Sequence, residues 1–253
     1  MTDRDSYSVE QAVRFGWSSL GELNKERVAF LESHLPEGSV LDLGCGPGGW
    51  SRWMSERGHH VVSLDAQRIY LDAAQGMDRR VQASALQLPF RDACLDSVVC
   101  MDVLEHLDDD LAAIREMRRV ARKRLLLTLP RGDDSLDRYN LTFLHWQDRT
   151  HRRAYTEESL RDLLHAAGCD RFTIVPELAI PWAGLVRELA LPRETFGNRL
   201  RRARASFLDI LSRPRDASGR GDRIHRAVMK SALSSVRFPE TPSGLAVVVD
   251  LRP

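Results

Sequence analysis

Cysteine is scarce in this chain, four in 253 residues. Cys45, Cys94, Cys100 and Cys169 follow no C-x-x-C or other metal-ligand spacing, so reduced thiols in a cytoplasmic protein are the expectation. Long apolar runs are absent as well. No stretch reaches transmembrane length, and the charged opening Met1-Thr2-Asp3-Arg4-Asp5 leads into no apolar segment, so neither a membrane span nor a signal peptide is expected. There is no internal repeat, no low-complexity tract and no Ser/Gly-rich linker. Net charge is nearly absent at +1, but it is unevenly distributed. Residues 179–243 hold thirteen Lys/Arg against six acids, a net +7, which leaves −6 for the rest. Such asymmetry points to an anionic partner or substrate, or to a face that packs on the acidic body.

What remains is an alternation of apolar runs and helical patterns. Residues 18–35 place Leu20, Leu23, Val28, Leu31 and Leu35 on one helical face, stopped by Pro36 and Gly38. Strands are expected at 39–43, 60–65, 80–83, 95–100, 124–129, 171–175 and 245–251. Helices are expected at 49–57, 69–75, 109–121 and 156–167. Strands spaced by helices imply βαβ units and a parallel sheet. The expected fold is α/β: a Rossmann-like, seven-stranded, mostly parallel sheet with helices on both faces and a helical insert before the last strand. The division follows as a core at 1–178, a basic helical cap at 179–243 and a final core strand at 244–253. In such sheets ligands bind at the C-terminal strand edge, where strand order reverses.

The chemistry-bearing residues gather after those strands. Val40-Leu41-Asp42-Leu43-Gly44-Cys45-Gly46-Pro47-Gly48-Gly49 ends the first strand. Its glycines let backbone approach a ligand, and the helix behind offers unpaired N–H groups. Glycine spacing alone also fits dinucleotides. Here, however, Asp42 precedes the first glycine, which disfavours a pyrophosphate and suits a ligand carrying ammonium and sulfonium. Asp65 ends the second strand, where a carboxylate accepts two hydrogen bonds from a diol.

This segment resembles motif I of the class I S-adenosylmethionine (SAM)-dependent methyltransferases, in the group that includes ubiquinone/menaquinone-type enzymes. The resemblance implies SAM as cofactor. The motif I residues Asp42, Gly44, Cys45 and Gly46 would lie at its methionyl part, and Asp65 with Ala66 at its ribose. Ser84-Ala85-Leu86-Gln87-Leu88-Pro89-Phe90 is similar to the family's D-A-x-x-L-P-F stretch, with Ser84 in place of the acid that bonds adenine, and Ala85 beside it. Cys100-Met101-Asp102-Val103-Leu104-Glu105-His106-Leu107 resembles the post-strand-four V-L-E-H segment, with Met101 lining the cofactor and His106 near the acceptor. The resemblance covers residues 36–130 and the last strand, and says nothing of the acceptor.

Methyl transfer needs alignment of nucleophile, methyl and sulfur, and a hydroxyl acceptor also needs a base. The densest polar cluster is His145-Trp146-Gln147-Asp148-Arg149-Thr150-His151. Three readings stay open: an acceptor site with His145 or His151 as base and Asp148 as orienter, a structural turn, or a metal site of His145, Asp148 and His151. No fixed ligand spacing supports the last, and no metal is assigned. The acceptor is expected to be a small molecule, sugar or glycan-type metabolite, anionic if the basic segment meets it, as in natural-product or polysaccharide biosynthesis. O-methylation is the favoured reaction. An RNA methyltransferase of tRNA type and an inactive SAM-binding regulatory protein are the alternatives. Nucleic acid is the less favoured partner, and a homodimer contact is the other use of the basic segment.

Overall fold

The computed structural model describes residues 23–74, 77–132, 142–143, 150–179, 189–190 and 242–252. In chain order these form α1 (Lys25–His34), β1 (Ser39–Leu43), α2 (Gly49–Glu56), β2 (His60–Asp65), α3 (Arg68–Ala73), β3 (Arg80–Gln82), β4 (Leu95–Met101), a 3-10 turn (Leu104–His106) and α4 (Asp110–Val120). They continue with β5 (Ala121–Pro130), β6 (Thr142–Phe143), α5 (Glu157–Ala166), β7 (Phe172–Ala179), β8 (Leu189–Ala190) and β9 (Pro242–Asp250).

Seven strands make one sheet in the order β3-β2-β1-β4-β5-β9-β7. The pairings among β1 to β5 are parallel, and β9 runs antiparallel between β5 and β7. The expected Rossmann-like α/β sheet is therefore present. From β1 the chain winds outward through β2 and β3, then returns to β4 on the other side. The switch point lies between β1 and β4. Leu43 is in register with Leu64 on one side and Cys100 on the other, so three strand ends meet there.

Local sequence accounts for the elements. All seven residues of β4 are buried, as a central parallel strand covered on both faces requires. Ala113, Ile114, Met117 and Val120 recur at helical spacing and form the buried face of α4. Asp109 caps that helix by accepting the Ala112 N–H. Thr156 and Ser159 form a reciprocal capping box at the start of α5.

Several boundaries differ from the sequence reading. Helix α1 starts at Lys25 because Asn24 accepts the Glu26 and Arg27 N–H groups. Residues 1–22, including Leu20, lie outside the described residues. Leu31 is buried, and Leu23, Val28 and Leu35 pack on the core formed with Val40, Met54 and Val99. Strand β5 begins at Ala121, directly at the end of α4, and β7 runs on to Ala179. Strand β9 begins at Pro242, which pairs with Ala179 of β7, and it pairs with β5 from Gly244 on.

The chain divides into two compact units. One comprises residues 1–132, 148–179 and 242–253 and contains the seven-stranded sheet. The other comprises residues 133–147 and 180–241. Its described part is the antiparallel pair β6 and β8, with Thr142 opposite Ala190 and Phe143 opposite Leu189. The segment after β5, where no strand is expected, thus contributes one. Among the described residues no helix is long and apolar enough to cross a membrane.

Candidate functional site

The loop after β1 continues the sheet's hydrogen bonding for two more residues. The N–H groups of Gly44 and Cys45 both donate to the Leu64 carbonyl, at 2.8 and 3.0 Å. The chain then turns through Gly44 and Gly46, at φ +74° and +51°, values that L side chains rarely adopt. A Cβ on Gly44 would stand 2.4 Å from Val103 Cγ2, so the segment after β4 rests directly on this glycine. A Cβ on Gly46 would meet nothing within 4 Å. The loop therefore faces open space on one side and Val103 on the other.

Asp65 closes the same edge from β2. Its Oδ2 accepts the Gly46 N–H at 3.0 Å and its Oδ1 accepts the Gln67 N–H at 2.8 Å. Each oxygen keeps lone-pair capacity for a hydroxyl donor. Burial pushes the carboxyl up, and the backbone donors from Gln67 and Gly46 oppose that. An open glycine turn next to a backbone-braced carboxylate fits a ligand with a vicinal diol and a chain lying on the loop, as SAM has. Ala66 is exposed beside Asp65, and the Gln82 side chain donates to its carbonyl at 3.1 Å.

Asp42 is 1 % exposed. Its Oδ2 accepts the Ser51 hydroxyl at 2.5 Å, and Ser51 accepts the Ser63 hydroxyl at 2.7 Å. The carboxylate thus ties β1, α2 and β2 together under the loop. Burial raises its pKa to about 6 despite the Ser51 bond. Cys45 is buried, and burial raises its thiol pKa, which leaves a small apolar filler rather than a nucleophile.

Ser84 is exposed, and its hydroxyl accepts the Leu86 N–H at 3.2 Å. Here the residue in the adenine-bonding position shapes a local turn. Ala85 and Met101 are buried, at 7 % and 8 % exposure.

After β4 the chain meets a second segment. Glu105, His106 and His151 converge there. The two imidazoles stack edge to face with centroids 4.7 Å apart, and His151 Nε2 lies 3.9 Å from Glu105 Oε1. Thr150 Oγ1 sits 2.9 Å from His106 Nδ1. A seam of hydrogen bonds fixes the arrangement. The Arg152 N–H donates to the Glu105 carbonyl, and Arg153 reaches the carbonyls of Leu107 and Asp108. Arg153 also pairs with Asp110 at 2.6 Å, and the Tyr155 hydroxyl donates to Asp110 at 2.9 Å. Of the acceptor-side residues expected from sequence, His106 and His151 are brought together. His145 and Asp148 lie outside the described residues.

Sequence reasoning passed over Glu105, although it sits beside His106 in the quoted segment and is wholly buried. It also passed over a charge cluster at the strand ends. Arg27 donates to Asp102 through both terminal nitrogens and to Glu177 at 2.8 and 3.0 Å. Asp102, at φ +52°, also accepts the Thr128 hydroxyl. Arg27 and Glu177 are 150 residues apart, so no local pattern signals the pair.

A family model described as "Methyltransferase domain" matches residues 17–173. The ubiquinone biosynthesis O-methyltransferase of Hahella chejuensis is 34 % identical over 113 residues, 41 % of this chain and 48 % of that protein. An uncharacterized protein of Methanocaldococcus jannaschii is 34 % identical over 105 residues, 38 % and 42 % of the two chains. This chain thus spans just under half the length of these curated relatives. In fold it is similar to a SAM-dependent methyltransferase from Archaeoglobus fulgidus (TM-score 0.63, 18 % identity, 97 % of this chain and all of that one). It is also similar to phosphoethanolamine N-methyltransferase 2 of Haemonchus contortus, solved in complex with SAM (TM-score 0.60, 18 % identity, 98 % and 58 %). This chain belongs to the methyltransferase-domain family, within the class I SAM-dependent methyltransferases.

Proposed function

We propose that this protein transfers a methyl group from SAM to an oxygen of a small-molecule, sugar or glycan-type acceptor. The observation that carries the donor half is the open turn at Gly44 and Gly46 braced against Asp65. The acceptor half is supported by the meeting of Glu105, His106 and His151 in the segment that follows β4. Bound SAM supplies a methyl carbon already activated by its sulfonium. The protein's own residues bind, orient and handle a proton. Asp65 accepts the ribose hydroxyls, Gly44, Cys45 and Gly46 carry the methionyl part, and Ala66, Ser84, Ala85 and Met101 border the adenosine. Asp42 acts through its buried charge. His145, with Asp148 as its orienter, takes the proton from an acceptor hydroxyl as the oxygen gains the methyl.

Support for an oxygen acceptor comes from the O-methyltransferase names of the relatives matching 34 % over their shared segment. The net +7 of residues 179–243 supports an anionic acceptor, since Arg binds phosphate or carboxylate bidentately. Cys45, Cys94, Cys100 and Cys169 are all free thiols, which supports a reducing, cytoplasmic setting.

Titration calorimetry with SAM tests the donor half. The wild-type protein binds one equivalent, and Asp65→Ala loses about 100-fold in affinity, the worth of two charge-assisted hydrogen bonds. No binding to wild type, or equal binding to both proteins, overturns the reading.

A further inference from the structure

We infer that Glu105, His106 and His151 form a binding site for one divalent transition-metal ion. Each side chain offers one donor atom, and the three donors lie within 4.8 Å of one another. Two imidazoles and one carboxylate are a donor set for borderline ions such as Zn²⁺, Mn²⁺, Co²⁺ or Fe²⁺, rather than for Mg²⁺ or Ca²⁺, which favour oxygen ligands. Bonds of about 2.0–2.2 Å place neighbouring donors roughly 3–3.5 Å apart. Glu105 Oε1 and His151 Nε2 stand at 3.9 Å, so sub-ångström to ångström adjustments close the site.

Three features separate this cluster from an accidental meeting of polar groups. Glu105 is wholly buried and its Oε1 stands 3.9 Å from His151 Nε2, so a carboxylate and an imidazole nitrogen meet inside the fold. Thr150 Oγ1 lies 2.9 Å from His106 Nδ1, a contact that fixes the ring, as outer-sphere partners do for metal-bound histidines. Finally, the ligands come from two segments joined by backbone and Arg bonds that do not involve the donor atoms. The Arg152 N–H holds the Glu105 carbonyl, Arg152 Nε holds the His106 carbonyl, and Arg153 holds the carbonyls of Leu107 and Asp108. The scaffold is thus assembled before any ion arrives. Asp102, three residues before Glu105, is held by Arg27 and Thr128 instead, so among the described residues three side chains offer donors, and a three-ligand site takes further oxygens from outside. That such an oxygen belongs to the methyl acceptor rests on the function proposed above. The metal site itself does not.

Equilibrium dialysis of chelator-stripped protein against Zn²⁺, and separately Co²⁺, is the test, with the Co²⁺ visible spectrum reporting nitrogen and oxygen coordination. The expected result is one equivalent bound. His106→Ala and His151→Ala should each weaken binding by 100-fold or more, and Thr150→Val by about 10-fold. Circular dichroism confirms that each variant is folded. Because His151 is partly exposed, its variant carries the test if Glu105 or His106 variants do not fold. No stoichiometric binding, or binding that survives His151→Ala and Thr150→Val unchanged in folded protein, overturns the proposal. Measuring SAM by calorimetry on the stripped protein keeps the two readings separable. SAM binding without metal binding removes this site alone, and metal binding without SAM binding removes the donor assignment alone.

Discussion

The two sides of the candidate site are built by opposite means. The donor side is made of backbone: glycines at positive φ, N–H groups on Asp65, and a loop that copies the sheet's hydrogen bonding onto Leu64. The acceptor side is made of side chains. Arg152, Arg153 and Tyr155 fasten one segment to another some 45 residues away. A backbone-built site is fixed by φ and close contact, so it fails abruptly when a Cβ is added. A seam of side chains distributes its strength, so it loses stability in small steps.

The largest effect should come from breaking the donor side. Gly44→Ala places a Cβ in left-handed backbone and against Val103, and it should cost about 3–5 kcal/mol in urea unfolding. Adding Val103→Ala to it should recover the steric part and leave the backbone part. If the single variant is as stable as wild type, the contact between loop and post-β4 segment is not tight.

Asp42 sharpens the same contrast through pH. Its carboxyl titrates at about 6 in the fold, above the ordinary value near 4. Between those values the native state keeps a proton that the unfolded chain has released, so stability falls as pH rises through that window. The accumulated cost at pH 7.5 is roughly 3 kcal/mol. Asp42→Asn should flatten this part of the profile, measured as the difference between variant and wild-type stability at pH 4.5 and 7.5. A pH-independent difference would show that Asp42 titrates normally.

On the acceptor side, Tyr155→Phe removes one hydrogen bond to Asp110 and should cost only about 1 kcal/mol, a drop of a few degrees in Tm. A loss as large as that of Gly44→Ala would erase the distinction between the two sides.

The same contrast explains what could be read from sequence. The β1 loop is contiguous, so Asp42, Gly44, Gly46 and, at the next strand end, Asp65 were all legible, as were the sheet and most helices. Strand β7 was read short and β9 late, since their pairings are made with each other. Asp42 was read as facing the ligand's charge, and nothing local announces that Ser51 and Ser63 hold it. The acceptor side depends on chain returning from far away. His106 and His151 could each be noticed, but their meeting with Glu105 could not, because the seam that joins them has no periodicity.

Arg27 carries a consequence for where the folding unit ends. Helix α1 precedes the segment that carries the recognisable motifs, and only Leu31 on it is fully buried. It would pass for a detachable appendage. Yet its guanidinium is the counter-charge for Glu177, whose side chain is 6 % exposed at the far edge of the sheet. A chain trimmed to begin at residue 36 would keep every motif and leave a buried carboxylate without that cation, a defect worth roughly 3–5 kcal/mol. The smallest autonomous version of this domain is therefore set by charge neutrality rather than by its motifs, and it starts before Lys25.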